Sequence, residues 1–150
     1  MKALKYIAIA ATLLLSSCQT TEKSNKLYEE GISLELAQLR KQEIKELKYG
    51  LSFSIPKQKQ EAVEGEARIS FLLQRPQEII LDFRESADKI KEVSINGKPS
   101  EYTFLNEHLV LPEASTIEGK NEVHICFTAG DQSLNRNEEY LYTLLVPDRA

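Results

Sequence analysis

The chain has 150 residues, with 19 Lys and Arg against 23 Asp and Glu, for a net charge of -4. That length suits a single domain with a core of its own. The acidic balance argues against nucleic acid, which needs clustered basic side chains.

The N-terminus has the three parts of an export leader. Lys2 and Lys5 supply the positive start, Tyr6 to Leu15 the apolar run, and Ser16 and Ser17 the small residues before Cys18. The apolar run is roughly ten residues, about half of what a membrane-spanning helix needs. Leu15-Ser16-Ser17-Cys18 resembles the bacterial lipobox, in which the cysteine is acylated and becomes the new N-terminus. The expectation is a signal peptide over 1–17, lipid attachment at Cys18, and an exported protein anchored to a membrane on its periplasmic or cell-surface side. Each buried lipid methylene adds about 0.8 kcal/mol, and lasting attachment takes more than one chain. Losing Lys2 and Lys5 leaves 17 basic residues against 23 acidic ones, a charge of -6, so the lipid and not electrostatics must hold the protein on anionic bilayers. With Cys18 acylated, Cys126 has no disulfide partner in the chain.

Residues 18–30 are mostly polar and aperiodic, and they read as a tether to a domain over 31–150. Ser33 is a helix N-cap, Glu35 suits the first turn, and Ile32, Leu36 and Leu39 share a face, predicting a helix from about Leu34 to Lys41 or slightly beyond. From Leu47 the period becomes two. Leu47, Tyr49, Leu51, Phe53 and Ile55 alternate with smaller or polar residues, predicting a half-buried strand that stops at Pro56. Ala67, Ile69, Phe71 and Leu73 mark a second strand, and Glu78 to Phe83 a third. A fourth runs from Lys91 to Ile95 and leads into Asn96-Gly97, the pair favoured in a type I′ hairpin because both positions need positive φ. Tyr102 to Leu105 is expected as its return strand. His108 to Leu111, Asn121 to Thr128 and Tyr140 to Val146 complete the set. About eight short strands and one short N-terminal helix, without βαβ units, predict a mainly β fold: an antiparallel sandwich or a partly open, saddle-like barrel.

Residues with catalytic potential are sparse. His108 and His124 lie on separate strands, and neither belongs to an H-E-x-x-H zinc motif. His108 is expected at a solvated hairpin end, His124 opposite the core face, and Cys126 as a small buried hydrophobe. Asp82, Glu85, Asp88 and Asp131 read as loop charges, and neither a G-x-S-x-G elbow nor a phosphate loop is present. The sequence alone therefore assigns no catalytic residue, metal ligand or cofactor to this chain.

Taken in order, these segments resemble the N-terminal β-domain of the aminopeptidase N family of zinc metallopeptidases. The likeness runs from Ala37-x-x-Arg40 and Tyr49-x-Leu51-x-Phe53 through Gly65-x-Ala67-x-Ile69-x-Phe71 and Ile80-Leu81-Asp82-Phe83. It continues in Val93-x-Ile95-Asn96-Gly97, Asn106 to Pro112 and Gly119-x-Asn121-x-Val123-x-Ile125-x-Phe127, and ends in Leu141-Tyr142-Thr143 to Ala150. It implies a non-catalytic domain that shapes the substrate cleft of a zinc-bearing catalytic domain lying beyond this chain, with peptide bound only in that larger context. Many family members bind the substrate amine with a Glu or Gln in the last block. The matching position here is Val146, whose side chain cannot accept a hydrogen bond. The alternative is a standalone lipoprotein β-sandwich that binds a partner through sheet edges or loops. An exposed apolar strip at Tyr140 to Val146 would favour the first reading.

Overall fold

A computed structural model describes residues 26–130, 135–136 and 139–142. Its contacts divide the chain into two units, Met1–Gln42 and Glu43–Ala150.

α1 spans Leu34–Glu43, all but its last residue in the first unit. The Ser33 hydroxyl accepts a hydrogen bond from the Leu36 N–H at 3.1 Å, as an N-cap should. Glu35 in the first turn and Arg40 and Lys41 in the last turn complement the helix dipole. Of the expected apolar face, only Leu36 is buried; Ile32 is exposed and Leu39 half-buried.

In the second unit the strands are β1 (Lys45–Ser54), β2 (Val63–Leu73), β3 (Ile79–Asp82), β4 (Ile90–Ile95), β5 (Lys98–Pro99), β6 (Thr103–Leu105), β7 (His108–Leu111), β8 (Gly119–Ala129), β9 (Asn135–Arg136) and β10 (Leu141–Tyr142). Eight of them form two antiparallel sheets: five strands in the order β1-β2-β8-β4-β5, and three in the order β3-β7-β6. The ribbon β9-β10 stands apart from both sheets in its pairing. The fold is the expected open antiparallel sandwich and does not close into a barrel.

The backbone of the large sheet is the β2–β8 ladder, which pairs without a break from Val63↔Ala129 to Leu73↔Gly119. Strand periodicity turns Ala67, Ile69, Phe71 and Leu73 to one face, and register brings Val123 and Ile125 of β8 to the same face. Val93 and Ile95 of β4 join them, and Ile79, Leu109 and Leu111 of the small sheet close over them as one core.

Two hairpins set how the sheets connect. Asn96 and Gly97 adopt φ of 52° and 75°, the left-handed pair expected of a type I′ turn. The return strand, however, is Lys98–Pro99, not Tyr102 to Leu105. Pro99 lacks an N–H and belongs at an edge, so the ladder ends there; residues 103–105 pair instead with β7 in the other sheet. A second two-residue turn, Asn106-Glu107 at φ 48° and 65°, joins β6 to β7.

His108 follows that turn, and it is buried, not solvated as expected. It lies on the central strand of the small sheet opposite Asp82, with Nδ1 3.1 Å from the Asp82 carboxylate. Asn121 is a second fully buried polar side chain. Its Oδ1 accepts from the Ile117 N–H at 2.9 Å and from Asn96 Nδ2 at 3.0 Å, and its Nδ2 donates to the carbonyls of Ile117 at 2.7 Å and Gly119 at 3.1 Å. One satisfied amide thus ties the Asn96-Gly97 hairpin to the loop that enters β8.

Phe71 is only 2% exposed at the centre of this core. Phe71→Ala is expected to lose about 3–5 kcal/mol of stability, read as a fall in the urea midpoint at unchanged slope. An unchanged midpoint would put the ring outside the core.

Candidate functional site

β1 breaks the sequence expectation in an informative way. It is a strand with the expected alternation, yet all ten residues are exposed. Register shows where its apolar side chains go. Tyr49 lies opposite Ile69, Leu51 opposite Ala67 and Phe53 opposite Gly65, so the row lies on the core face of the large sheet. None of these residues enters the core itself. Leu47, Tyr49, Leu51, Phe53 and Ile55 are between 39% and 60% exposed, so the expectation of a half-buried strand is corrected. The three-stranded cover reaches β2, β8 and β4 and leaves β1 bare. A contiguous apolar row of this kind marks an interaction surface more often than scattered exposed side chains do. β1 is also the end strand of its sheet and pairs with no described strand on its outer edge.

An aromatic seam marks where cover ends. Phe53 meets Phe127 edge-on at 6.2 Å and 87°, Phe127 meets Phe83 at 5.6 Å and 83°, and Phe83 meets Phe104 at 6.3 Å and 81°. These centroid spacings and angles are the favourable T-shaped geometry. Gly65 makes room for the seam: a Cβ there would come within 2.5 Å of the Phe127 ring.

Polar chemistry gathers on the other face of the same strands. His124 points away from the core, as expected. Cys126 does too, contrary to its reading as a buried hydrophobe, because it shares strand parity with His124 and not with Val123 and Ile125. His124 Nε2 lies 3.5 Å from Glu66 Oε2 and 3.9 Å from Cys126 Sγ. Glu66 and Glu92 are the register partners of Cys126 on either side, on β2 and β4. Burial, reinforced by the Glu66 and Glu92 carboxylates, pushes the Cys126 thiol up from its ordinary range, while Arg68 and Lys91 pull it back. Sequence reading missed this group because Glu66 is remote in the chain. The only local signal was His124-x-Cys126 at strand period.

Of the sequence-derived site residues, Cys18 and Val146 lie outside the described residues, as does most of Tyr140 to Val146. Tyr140 and Tyr142 are described and are both more than half exposed. Among the described residues no helix is long and apolar enough to cross a membrane. No family model, no curated protein and no solved structure matches this chain.

The bare row yields a paired test. Leu51→Lys is expected to shift stability by no more than about 0.5 kcal/mol and to reduce light scattering at high protein concentration. Ile69→Lys, one strand inward on the same face, is expected to unfold the domain. Leu51→Lys unfolding the protein as well would show that the row is covered.

Proposed function

We propose that residues 31–150 are the non-catalytic N-terminal β-domain of a lipid-anchored zinc aminopeptidase of the aminopeptidase N type, held at a membrane through Cys18. In this role the domain shapes the substrate cleft of a catalytic domain beyond this chain, and it contacts peptide only in that larger assembly. The observation that carries the reading is the apolar row of β1. A sheet whose core face continues past its own cover offers a ready surface for a neighbouring domain. The ordered resemblance along the chain supplies the identity of that neighbour. Val146, at the position matching the family's amine-binding residue, offers no acceptor, so the substrate amine would be held from elsewhere.

The catalytic zinc implied by the family does not fit the residues present. The chain holds only two histidines. His108 is buried against Asp82 in the small sheet, whereas His124 faces outward from the large one. They cannot share an ion as H-E-x-x-H histidines do, one helical turn apart. The hydrolytic step therefore belongs to other residues than these.

The open edge of β1 favours a second reading, a standalone lipoprotein binding module. An extended peptide could add to that edge as a sixth strand and lay alternate side chains along the apolar row.

Sequencing the coding DNA past the Ala150 codon separates the two. An in-frame H-E-x-x-H region supports the first, and an immediate stop codon supports the second. The purified chain is expected to release no amino acid from aminoacyl reporter substrates, with or without added zinc; chelator-sensitive hydrolysis by clean material would overturn the non-catalytic assignment. Cys18→Ser is expected to move the protein from the detergent phase to the aqueous phase. Partitioning identical to the unaltered chain would remove the lipid anchor from the proposal.

A further inference from the structure

We infer that Glu66, His124 and Cys126 form a binding site for a zinc-like divalent cation on the outer face of the five-stranded sheet. The site is separate from any metal of a catalytic domain and does not depend on the docking reading.

The geometry carries the inference. One ligand atom from each residue can be chosen so that all three lie within 4.8 Å of one another. A tetrahedral zinc ion has bonds of about 2.3 Å to sulfur and about 2.0–2.2 Å to nitrogen and oxygen, which spaces its ligand atoms about 3.4–3.6 Å apart. The His124–Glu66 spacing of 3.5 Å already matches, and the Cys126–His124 spacing of 3.9 Å needs to close by only a few tenths. Side-chain torsions can supply that without moving backbone.

Register explains why the three meet. His124 and Cys126 are two residues apart on β8 and so share a face, and Glu66 is the direct partner of Cys126 on β2. Both strands belong to the unbroken β2–β8 ladder, so the ligands stand on the longest continuous pairing among the described strands. Glu66 is half exposed and His124 a quarter exposed, which leaves a path for an ion from solvent.

Ligand chemistry selects the ion. One thiolate, one imidazole and one carboxylate suit zinc and its borderline-soft neighbours; magnesium and calcium call for all-oxygen shells. The thiol proton leaves to solvent as the sulfur–metal bond forms. A fourth position falls to water or to Glu92, the β4 partner of Cys126.

The surrounding charges are mixed. Arg68 lies 3.8 Å from the Glu66 carboxylate and competes with the ion for it. Lys91 is occupied by Glu64 at 2.6 Å. A cation on Glu66 would displace the weak Arg68 contact and leave the Lys91 pair intact.

The test is a titration of the full chain with Co²⁺, followed by displacement with Zn²⁺. The expected result is a thiolate-to-cobalt charge-transfer band that saturates at one ion per chain. The band should persist in Cys18→Ser and vanish in Cys126→Ser. Glu66→Gln and His124→Ala should each weaken binding by about tenfold or more. Both positions face solvent, and circular dichroism melts should show each variant folded. Absence of the band in the unaltered chain, its survival in Cys126→Ser, or unchanged affinity in folded Glu66→Gln and His124→Ala would each overturn the site.

Discussion

A three-stranded sheet faces a five-stranded one, and most of what is distinctive about this domain follows from that mismatch in width. The small sheet closes over β2, β8 and β4, whose inward side chains make one core with Ile79, Leu109 and Leu111. β1 continues the ladder and the inward face, but its side chains stay outside the core and about half exposed. Fully burying an aliphatic or aromatic side chain is worth about 1.5–3 kcal/mol. Four such side chains on β1, and Ile55 just after it, stay roughly half exposed, so much of that free energy is unrealised in the domain as it stands. Any body that covers the row gains from burying it, less the cost of association.

The boundary between covered and bare is built, not ragged. Phe127 stands between Phe53 on the bare strand and Phe83 beside the small sheet, edge-on to both. Its ring occupies the space that a side chain at position 65 would need, so Gly65 serves the packing of Phe127 and not a turn. The seam caps the core at the margin of its cover. It also lets Phe53 bridge the two regimes, packed on Phe127 yet half exposed.

The strands and their faces were largely legible in the sequence; what covers each face was not. Alternation in β2 gave Ala67, Ile69, Phe71 and Leu73 as an inward row, and that row is buried. The same alternation in β1 gave an inward row that is exposed, because periodicity reports which side chains share a face and is silent on what lies opposite. The Ser33 cap and the Asn96-Gly97 turn were readable since their chemistry is local. The partner strand of the Asn96-Gly97 hairpin is not legible in the sequence, because the return strand ends at Pro99 and residues 103–105 pair in the other sheet. The burial of His108 is not legible because Asn106-Glu107 lacks the usual glycine and does not mark the tight turn that leads into a buried central strand. The apolar run around Cys126 suggests burial, whereas strand parity with His124 places it on the outer face.

The two proposed surfaces use opposite faces of one ladder, on adjacent rungs. Gly65 and Phe127 pair beneath the aromatic seam, and the next rung, Glu66 with Cys126, carries two of the proposed ligands on the far side. Adjacent residues of a strand point in opposite directions, so the side chains that meet a neighbouring domain and those that would hold an ion do not compete for space. A substitution at Glu66 or His124 therefore leaves the packing at Ala67, Val123 and Ile125 in place, and one at Leu51 leaves the ligand atoms where they are. What the faces do share is the β2–β8 ladder. An ion bound across it would add a side-chain cross-link to backbone pairing that already joins the two strands over their full length. Its effect should fall on resistance of that ladder to local opening more than on the shape of the bare row, because a ligand shifts only those equilibria in which it binds the two states differently.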